Sequence, residues 1–93
     1  MRVQVTFYEM ARQAVGRKFI TLTLPEAASI GNLLEHLTEE YPGIRHYVYE
    51  ETGGFRDYLT YAVNNVEINS LDRYRTPLVD GDRVLVMPPI GGG

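Results

Sequence analysis

The chain has 93 residues, of which 44% are hydrophobic and 23% charged, a composition typical of one small globular domain. Its formal net charge of −3 gives no electrostatic support for nucleic-acid binding, and no apolar run approaches the ~20 residues that span a bilayer. The absence of cysteine excludes disulfides, thiolate metal ligands and a cysteine nucleophile. We therefore expect a cytoplasmic protein with no nucleic-acid or membrane partner.

The first two predicted elements are strands. Apolar and polar residues alternate over Arg2–Phe7, and the same period of two returns over Ile20–Leu24, which is typical of strands with one buried face. A short link that ends at Gly16 lies between them. Strands joined by so short a connection are expected to pair as an antiparallel hairpin.

An amphipathic helix is predicted next. Ser29 stands where an N-cap residue belongs, because its hydroxyl can accept a hydrogen bond from an unpaired backbone N–H. Behind it, apolar residues recur at the spacing of one helix face; they are Ile30, Leu33, Leu34 and Leu37. Pro42-Gly43 ends the pattern. This helix is expected to cover one side of a sheet.

The middle of the chain carries weaker signals. Tyr47–Glu51 is predicted as a short helical turn, followed by a glycine-containing loop. Tyr58–Val63 then has the alternation of a strand. Asn64-Asn65 tolerates positive φ and is predicted to turn the chain into a short strand at Val66–Ile68.

The last predicted strand, Arg83–Met87, follows a tight turn at Asp80–Asp82 and points Val84 and Val86 inward. If it pairs in parallel with the first strand at the sheet centre, both apolar faces lie under the helix. The predicted fold class is α+β, a β-grasp (ubiquitin-like) domain with a mixed sheet of about four to five strands covered by one main helix. Residues 1–87 form this domain, and residues 88–93 form a flexible C-terminal glycine-rich tail.

The tail has the composition of a reactive end. Pro88 and Pro89 lack backbone donors, so they should lead the chain away from the sheet. The three glycines Gly91–Gly93 have no side chains to contribute to a core. They are suitable where the backbone must pass through a narrow channel, or where the terminal carboxyl group must be accessible to attack. Such a carboxylate, once adenylated by an ATP-using partner, reacts with a sulfur nucleophile or an amine. A frayed end without function is the alternative.

A family pattern runs through most of the chain, in the stretches Val3–Gly16, Leu33–Gly43, Ala62–Asn65, Thr76–Val84 and Met87–Gly93. Together they resemble the molybdopterin-synthase small subunits (MoaD), their thiamine-pathway counterparts (ThiS) and the small archaeal protein modifiers. The last stretch is the most specific, because a strand followed by Pro-Pro and a terminal Gly-Gly is a strong signal. Gly91 departs from the common pattern, and the long segment Ile44–Asp57 looks more like the archaeal members.

The resemblance implies a carrier and not an enzyme. In this family an E1-like enzyme adenylates the terminal glycine, which becomes a thiocarboxylate. The tail then enters the molybdopterin synthase large subunit and delivers sulfur for molybdenum cofactor biosynthesis. By position, Gly92 and Gly93 are the reactive tail residues, and Gly93 bears the sulfur. The activating partner uses ATP, and no cofactor is expected on this chain.

The resemblance also implies a partner-binding surface, an exposed apolar patch beside the tail. It maps to Tyr8 at the end of the first strand and to Met87 at the end of the last. At the third position Val66 is preferred to its neighbour Glu67, whose charge would weaken an apolar patch. The predicted partner contacts are completed by three tail residues, Pro88, Pro89 and Gly91.

Two other functions compete with the sulfur carrier. One is a protein modifier whose Gly93 forms an isopeptide bond with lysines, and the other is a β-grasp interaction module with an idle tail. The sulfur acceptor, whether molybdopterin, the thiamine thiazole or another, also stays open. No metal site is predicted, because His36 and His46 have no second ligand at metal spacing; both are expected at the surface.

Overall fold

The computed structural model describes residues 1–90, so the predicted tail residues Gly91, Gly92 and Gly93 lie outside the described residues. Within that range the chain forms, in order, β1 (Arg2–Phe7), α1 (Glu9–Val15), β2 (Phe19–Thr23), α2 (Ile30–Glu40), α3 (Arg45–Val48), β3 (Thr60–Val63), β4 (Val66–Glu67) and β5 (Arg83–Met87). Single 3-10 turns lie at Pro42–Ile44, Ile68–Ser70 and Arg73–Arg75. None of the helices in this range is long and apolar enough to cross a membrane.

The five strands form one mixed sheet in the order β2-β1-β5-β3-β4. At its centre β1 and β5 run parallel, with Val5 opposite Val84 and Phe7 opposite Val86, whereas the other neighbours are antiparallel. These four side chains are fully buried on the inner face, the side of the sheet that α2 covers. The predicted central pairing of the first and last strands is confirmed, and with it the β-grasp fold.

Helix α2 packs on the inner face, and its predicted apolar stripe is confirmed, because all four stripe residues are fully buried. The helix begins at the predicted N-cap. The Asn32 backbone N–H donates to the Ser29 hydroxyl at 3.2 Å, and the Ser29 backbone N–H donates to the Asn32 side-chain oxygen at 3.0 Å. This reciprocal capping box fixes the start of the helix, because it satisfies two backbone donors near its N-terminus.

The link between β1 and β2 differs from the prediction, because it contains helix α1. Ala11 and Val15, four residues apart, are buried against the core. The helix ends at Gly16, which has a φ of 82° and donates its backbone N–H to the carbonyl of Arg12 at 2.7 Å. Two buried positions in a helix of seven residues form too short a pattern to reveal a helical period in the sequence. The antiparallel pairing of β1 with β2 is nevertheless as predicted.

The segment after α2 also corrects the prediction. The helical turn expected at Tyr47–Glu51 lies earlier, in α3, and Tyr49 instead forms a β-bridge with Phe55. Phe55 stacks between Tyr49 and Tyr74, with ring centroids 5.3 and 4.3 Å apart. It reaches α2 where Gly31 leaves room, since a Cβ at that glycine would lie 3.2 Å from the Phe55 ring. Stacking between aromatic residues far apart in the sequence holds this segment in place. Its position could therefore not be predicted from a local sequence pattern.

The predicted turn between β3 and β4 is confirmed. Asn64 and Asn65 both have positive φ, 49° and 70°, which asparagine tolerates better than most residues. The turn is tied to the one before β5 by the carboxylate of Asp82. This group accepts hydrogen bonds from the Asn64 side-chain amide and the Val79 backbone N–H, both at 2.9 Å. The two turns therefore hold the β3–β4 hairpin in register beside β5.

Replacing Leu34 with alanine removes a fully buried side chain from the α2 stripe. We expect the free energy of unfolding to fall by roughly 2–5 kcal/mol, because a cavity adds to the lost burial. Urea denaturation followed by circular dichroism measures the change. Leu71→Ala is the matched control, since Leu71 is 44% exposed and should change the stability by less than about 1 kcal/mol. Equal losses in the two variants would show that Leu34 is not a core residue.

Tyr61 on β3 is a buried aromatic residue with an unusual feature. Its side chain is 2% exposed, and its hydroxyl has no hydrogen-bond partner within residues 1–90. The ring packs edge-on against Tyr74 with centroids 6.2 Å apart. Burial raises the pKa of the Tyr61 hydroxyl, because the phenolate would lose its hydration. The folded state therefore holds this proton more tightly than the unfolded chain does.

The variant Tyr61→Phe keeps the ring and deletes the unpaired hydroxyl. Near neutral pH it should be as stable as the parent, or more stable by about 1–2 kcal/mol. Above about pH 10 the unfolded parent ionises Tyr61 while the folded parent keeps the proton, so parental stability falls as the pH rises. The variant should lose less stability between about pH 8 and pH 11, as measured by urea unfolding at both. Identical alkaline losses would contradict this account of Tyr61.

Candidate functional site

The tail begins where the central strand pair ends. The Tyr8 backbone N–H donates to the carbonyl of Val86 at 3.0 Å, and Met87 is paired with Thr60 on the other side of β5. Beyond Met87 the two prolines have no N–H with which to extend either ladder. The residues Pro88–Ile90 form no regular structure, and the last two are exposed. The chain thus leaves the sheet at the end of its central strands.

The outer face is the side of the sheet opposite α2. The strand register defines one row of residues that crosses it from edge to edge: Phe19, Thr6, Leu85, Ala62 and Glu67. Phe19 is 56% exposed and Leu85 is half-buried. The row therefore offers an apolar side chain at one edge, a second at the centre, and a carboxylate at the other edge.

Tyr8 and Met87, two predicted partner-binding residues, lie together on the outer face beside the tail. By strand alternation Tyr8 shares this face with Thr6, and Met87 shares it with Leu85. Tyr8 is 37% exposed, and the guanidinium carbon of Arg12 lies 5.9 Å from the centroid of its ring. Arg12 is itself held by a hydrogen bond from its Nε to the last carbonyl of β1 at 3.1 Å. The tail exit is thus flanked by an aromatic ring, a thioether and a positive charge.

The third predicted patch position needs a correction. Val66 is paired with Val63, and Val63 is paired with Val84 of the buried inner face. Because paired residues share a face, Val66 belongs to the inner side of the sheet edge, where it is 44% exposed. Glu67 occupies the outer position instead. A two-residue strand has no alternation of its own, so its orientation is decided by the pairing with β3.

Two further apolar residues of the outer face, Phe19 and Leu85, are absent from the sequence-based prediction. The sequence does contain a feature from which Phe19 could have been predicted. In β2 the outward positions are Phe19, Thr21 and Thr23, and an aromatic residue on an otherwise polar face is informative. Arg12 had no such signal, because it is placed by helix α1, whose pattern is too short to read.

Three tyrosine hydroxyls of the described residues have shifted pKa values. Burial raises the pKa of Tyr49, Tyr61 and Tyr74, so these hydroxyls stay protonated at neutral pH. Within residues 1–90, no cluster of histidine, aspartate and glutamate side chains could hold a metal ion, and His36 and His46 are exposed. The predicted reactive residues lie outside the described range.

A cleft of about 240 Å³ lies beside the tail. Pro89 and Ile90 form one wall, and the carboxylates of Asp57 and Glu67 are among the groups that line the rest. The Asp57 carboxylate lies 3.4 Å from the guanidinium group of Arg73, and the Glu67 carboxylate accepts a hydrogen bond from the Asn69 side-chain amide at 2.8 Å. Both carboxylates of the cleft are therefore engaged by other side chains of the domain.

A family model and a related protein of known name both place the chain in the same family. A family model described as the ThiS family matches residues 5–93, which is nearly the whole chain. The chain is also 33% identical to small archaeal modifier protein 3 of Haloferax volcanii over 93 residues, which make up 100% of both proteins.

Solved structures share the fold. The crystal structure of small archaeal modifier protein 1 from Haloferax volcanii matches with a TM-score of 0.87 at 17% identity, over 100% of both chains. A chain from the complex of subunits 1 and 2 of the molybdopterin-converting factor of Helicobacter pylori matches with a TM-score of 0.62 at 22% identity, again over 100% of both chains. At these identities the likeness concerns the β-grasp fold alone.

The outer face can be tested as a docking surface with Met87→Glu, which places a charge beside the tail exit. Binding to the adenylating enzyme that the family resemblance implies should weaken by about 1–3 kcal/mol, or roughly 5- to 150-fold, if Met87 is a central contact. Titration calorimetry measures the affinity. Val66→Glu is the matched control, because it adds the same charge on the opposite side of the sheet and should leave the affinity unchanged. An equal effect of the two variants would remove the outer face as the docking surface.

Proposed function

The chain belongs to the ThiS family of small ubiquitin-like carriers and modifiers, and on that premise we propose that it is a sulfur carrier, the small subunit of a molybdopterin synthase. An E1-like enzyme adenylates the carboxyl group of Gly93, and a sulfur donor converts the adenylate to a thiocarboxylate. The synthase large subunit takes up the tail and uses its sulfur in molybdenum cofactor biosynthesis. The chain is a substrate-like subunit and not a catalyst.

The observation that carries this proposal is the tail exit beside an exposed apolar face. A partner that docks on Tyr8 and Met87 holds the start of the tail at a fixed point, because both residues border the end of β5. From there the six residues Pro88–Gly93 reach about 20 Å when extended. That length is sufficient to carry a reactive end into a separate active site while the folded domain stays outside.

The chemistry assigns the catalytic work to the partners. A carboxylate is a poor electrophile, and ATP makes it reactive. One carboxylate oxygen attacks the α-phosphorus, pyrophosphate leaves, and the acyl-adenylate that results has AMP as its leaving group. Glycine at the end suits this step, since no side chain hinders attack on its carbonyl carbon. The described part of the chain contributes no metal centre. It supplies the docking surface, and Gly92 and Gly93 supply a backbone thin enough for a narrow channel.

A protein modifier is the second candidate, favoured by the 33% identity to a small archaeal modifier protein over the full length of both chains. Here the amine of a lysine attacks the same acyl-adenylate, or a thioester made from it, and an isopeptide bond results. Mass spectrometry of protein from cells distinguishes the two functions. For a carrier, the intact mass shows a fraction heavier by the difference between one sulfur and one oxygen atom. For a modifier, digestion at arginine yields peptides of other proteins whose lysines carry the remnant Val84–Gly93.

Both candidates require a free carboxyl group on Gly93. Adding one alanine after Gly93 should abolish ATP–pyrophosphate exchange by the activating enzyme and leave the melting temperature unchanged, because the addition lies outside the folded core.

A second extension provides the control. One arginine added after Gly93 should also block the exchange, and carboxypeptidase B should restore it by trimming the arginine. Normal exchange by the untrimmed proteins would show that the carboxyl group of Gly93 is not the activated group.

A further inference from the structure

The chain has very few amines that could accept an acyl group. Of its nine basic residues Lys18 is the only lysine, and the others are arginines. A guanidinium group stays protonated and delocalised at neutral pH, so arginine is a poor acyl acceptor. The remaining candidate in the sequence is the nitrogen of Met1.

The nitrogen of Met1 is engaged within the fold. Its nitrogen donates a hydrogen bond to the carbonyl of Leu24 at 2.8 Å and lies 3.9 Å from the carboxylate of Glu26. Met1 is partly buried against the core. An acyl group on this nitrogen would have to compete with the hydrogen bond to Leu24.

Lys18 is in the opposite situation. Its side chain is exposed, and within residues 1–90 no hydrogen bond or ion pair engages its Nζ. Its backbone is nevertheless fixed, because its carbonyl accepts a hydrogen bond from the Phe7 N–H at 2.8 Å. An exposed amine on a backbone held by the sheet is accessible to a bulky acyl donor without any change in the fold.

Lys18 lies close to the point where the tail leaves the sheet. Phe7 faces Lys18 on one side and Val86 on the other, so Lys18 and the end of β5 lie at the same end of the sheet. Neighbouring strands are about 4.8 Å apart, which puts them roughly 10 Å from each other. Phe19, the exposed aromatic residue of the outer face, directly follows Lys18. The amine is therefore at the border of the surface that would receive partners.

We propose that Lys18 is a modification site at which the chain accepts a second copy of itself. The inference rests on the modifier fate of the proposed function. The unprotonated Nζ of Lys18 attacks the carbonyl carbon of Gly93 in another copy, which is activated as the acyl-adenylate by ATP. A C–N bond forms, the bond to the phosphate oxygen breaks, AMP leaves, and the proton on nitrogen passes to solvent. Since each copy carries one lysine, the products linked through lysine are linear and unbranched, and every such link is at Lys18.

The test uses the untagged full chain in an ATP-supplemented extract of the source organism, detected with an antibody against the purified protein. The parent should give a ladder in steps of about one chain mass, 10.6 kDa, and trypsin should release Lys18 bearing the remnant Val84–Gly93. Lys18→Arg, which keeps the charge, should lose the ladder completely. The same variant should retain adducts with other proteins and normal ATP–pyrophosphate exchange.

The alanine-extended chain separates this inference from the function on which it rests. It should lose both the ladder and the exchange, whereas Lys18→Arg loses the ladder alone. A ladder that persists in Lys18→Arg, or a remnant on Met1, would overturn the proposal. So would a parent that modifies other proteins without forming a ladder, or one that loses one water per chain by closing its own tail onto Lys18. Failure of the exchange in the parent would instead overturn the proposed activation of Gly93.

Discussion

The parallel pairing of β1 with β5 is the constraint on which the rest of this structure depends. It joins the first strand to the last at the centre of the sheet, with Phe7 opposite Val86, and so closes the core under α2. Parallel neighbours need a long crossover connection, and nearly the whole chain between β1 and β5 forms it. The same pairing fixes where the chain leaves the sheet. The end of β5 must lie beside Tyr8, because the two strands run in the same direction and end together.

The two faces of the sheet have different roles: the inner face forms the core, and the outer face is available to bind a partner. The inner face is occupied by valine and phenylalanine side chains under the α2 stripe, and burying them provides most of the stability available to a domain of this size. The outer face keeps Phe19, Leu85 and Met87 at or near the surface, where they do not serve the core. These apolar residues lie beside the point where Pro88 and Pro89 lead the chain away from the sheet. The arrangement suits a protein whose folded domain is bound by a partner while its C-terminal residue reacts.

The proposed reactions share one activated group and differ in the nucleophile that reaches it. Sulfur gives a thiocarboxylate, and an amine gives an isopeptide bond. In the proposed scheme, which product forms depends on the partner that holds the acyl-adenylate. As an acceptor the chain offers one exposed lysine, whereas the nitrogen of Met1 is hydrogen-bonded to the carbonyl of Leu24. The proposed self-conjugation is accordingly placed at Lys18.

The sequence by itself determined the strands β1, β2 and β5, the start and apolar face of α2, and the reactive composition of the tail. Each of these is a local pattern of period two or 3.6, a cap or a run of special residues, and such patterns are legible without the fold. Only the tertiary structure decided the rest. Helix α1 is too short for a period, the stack of Phe55 with Tyr74 joins distant segments, and the side on which Val66 lies is set by its pairing with β3. The closeness of Lys18 to the tail exit likewise follows from strand order, a property of contacts between residues far apart in the chain that no local pattern encodes.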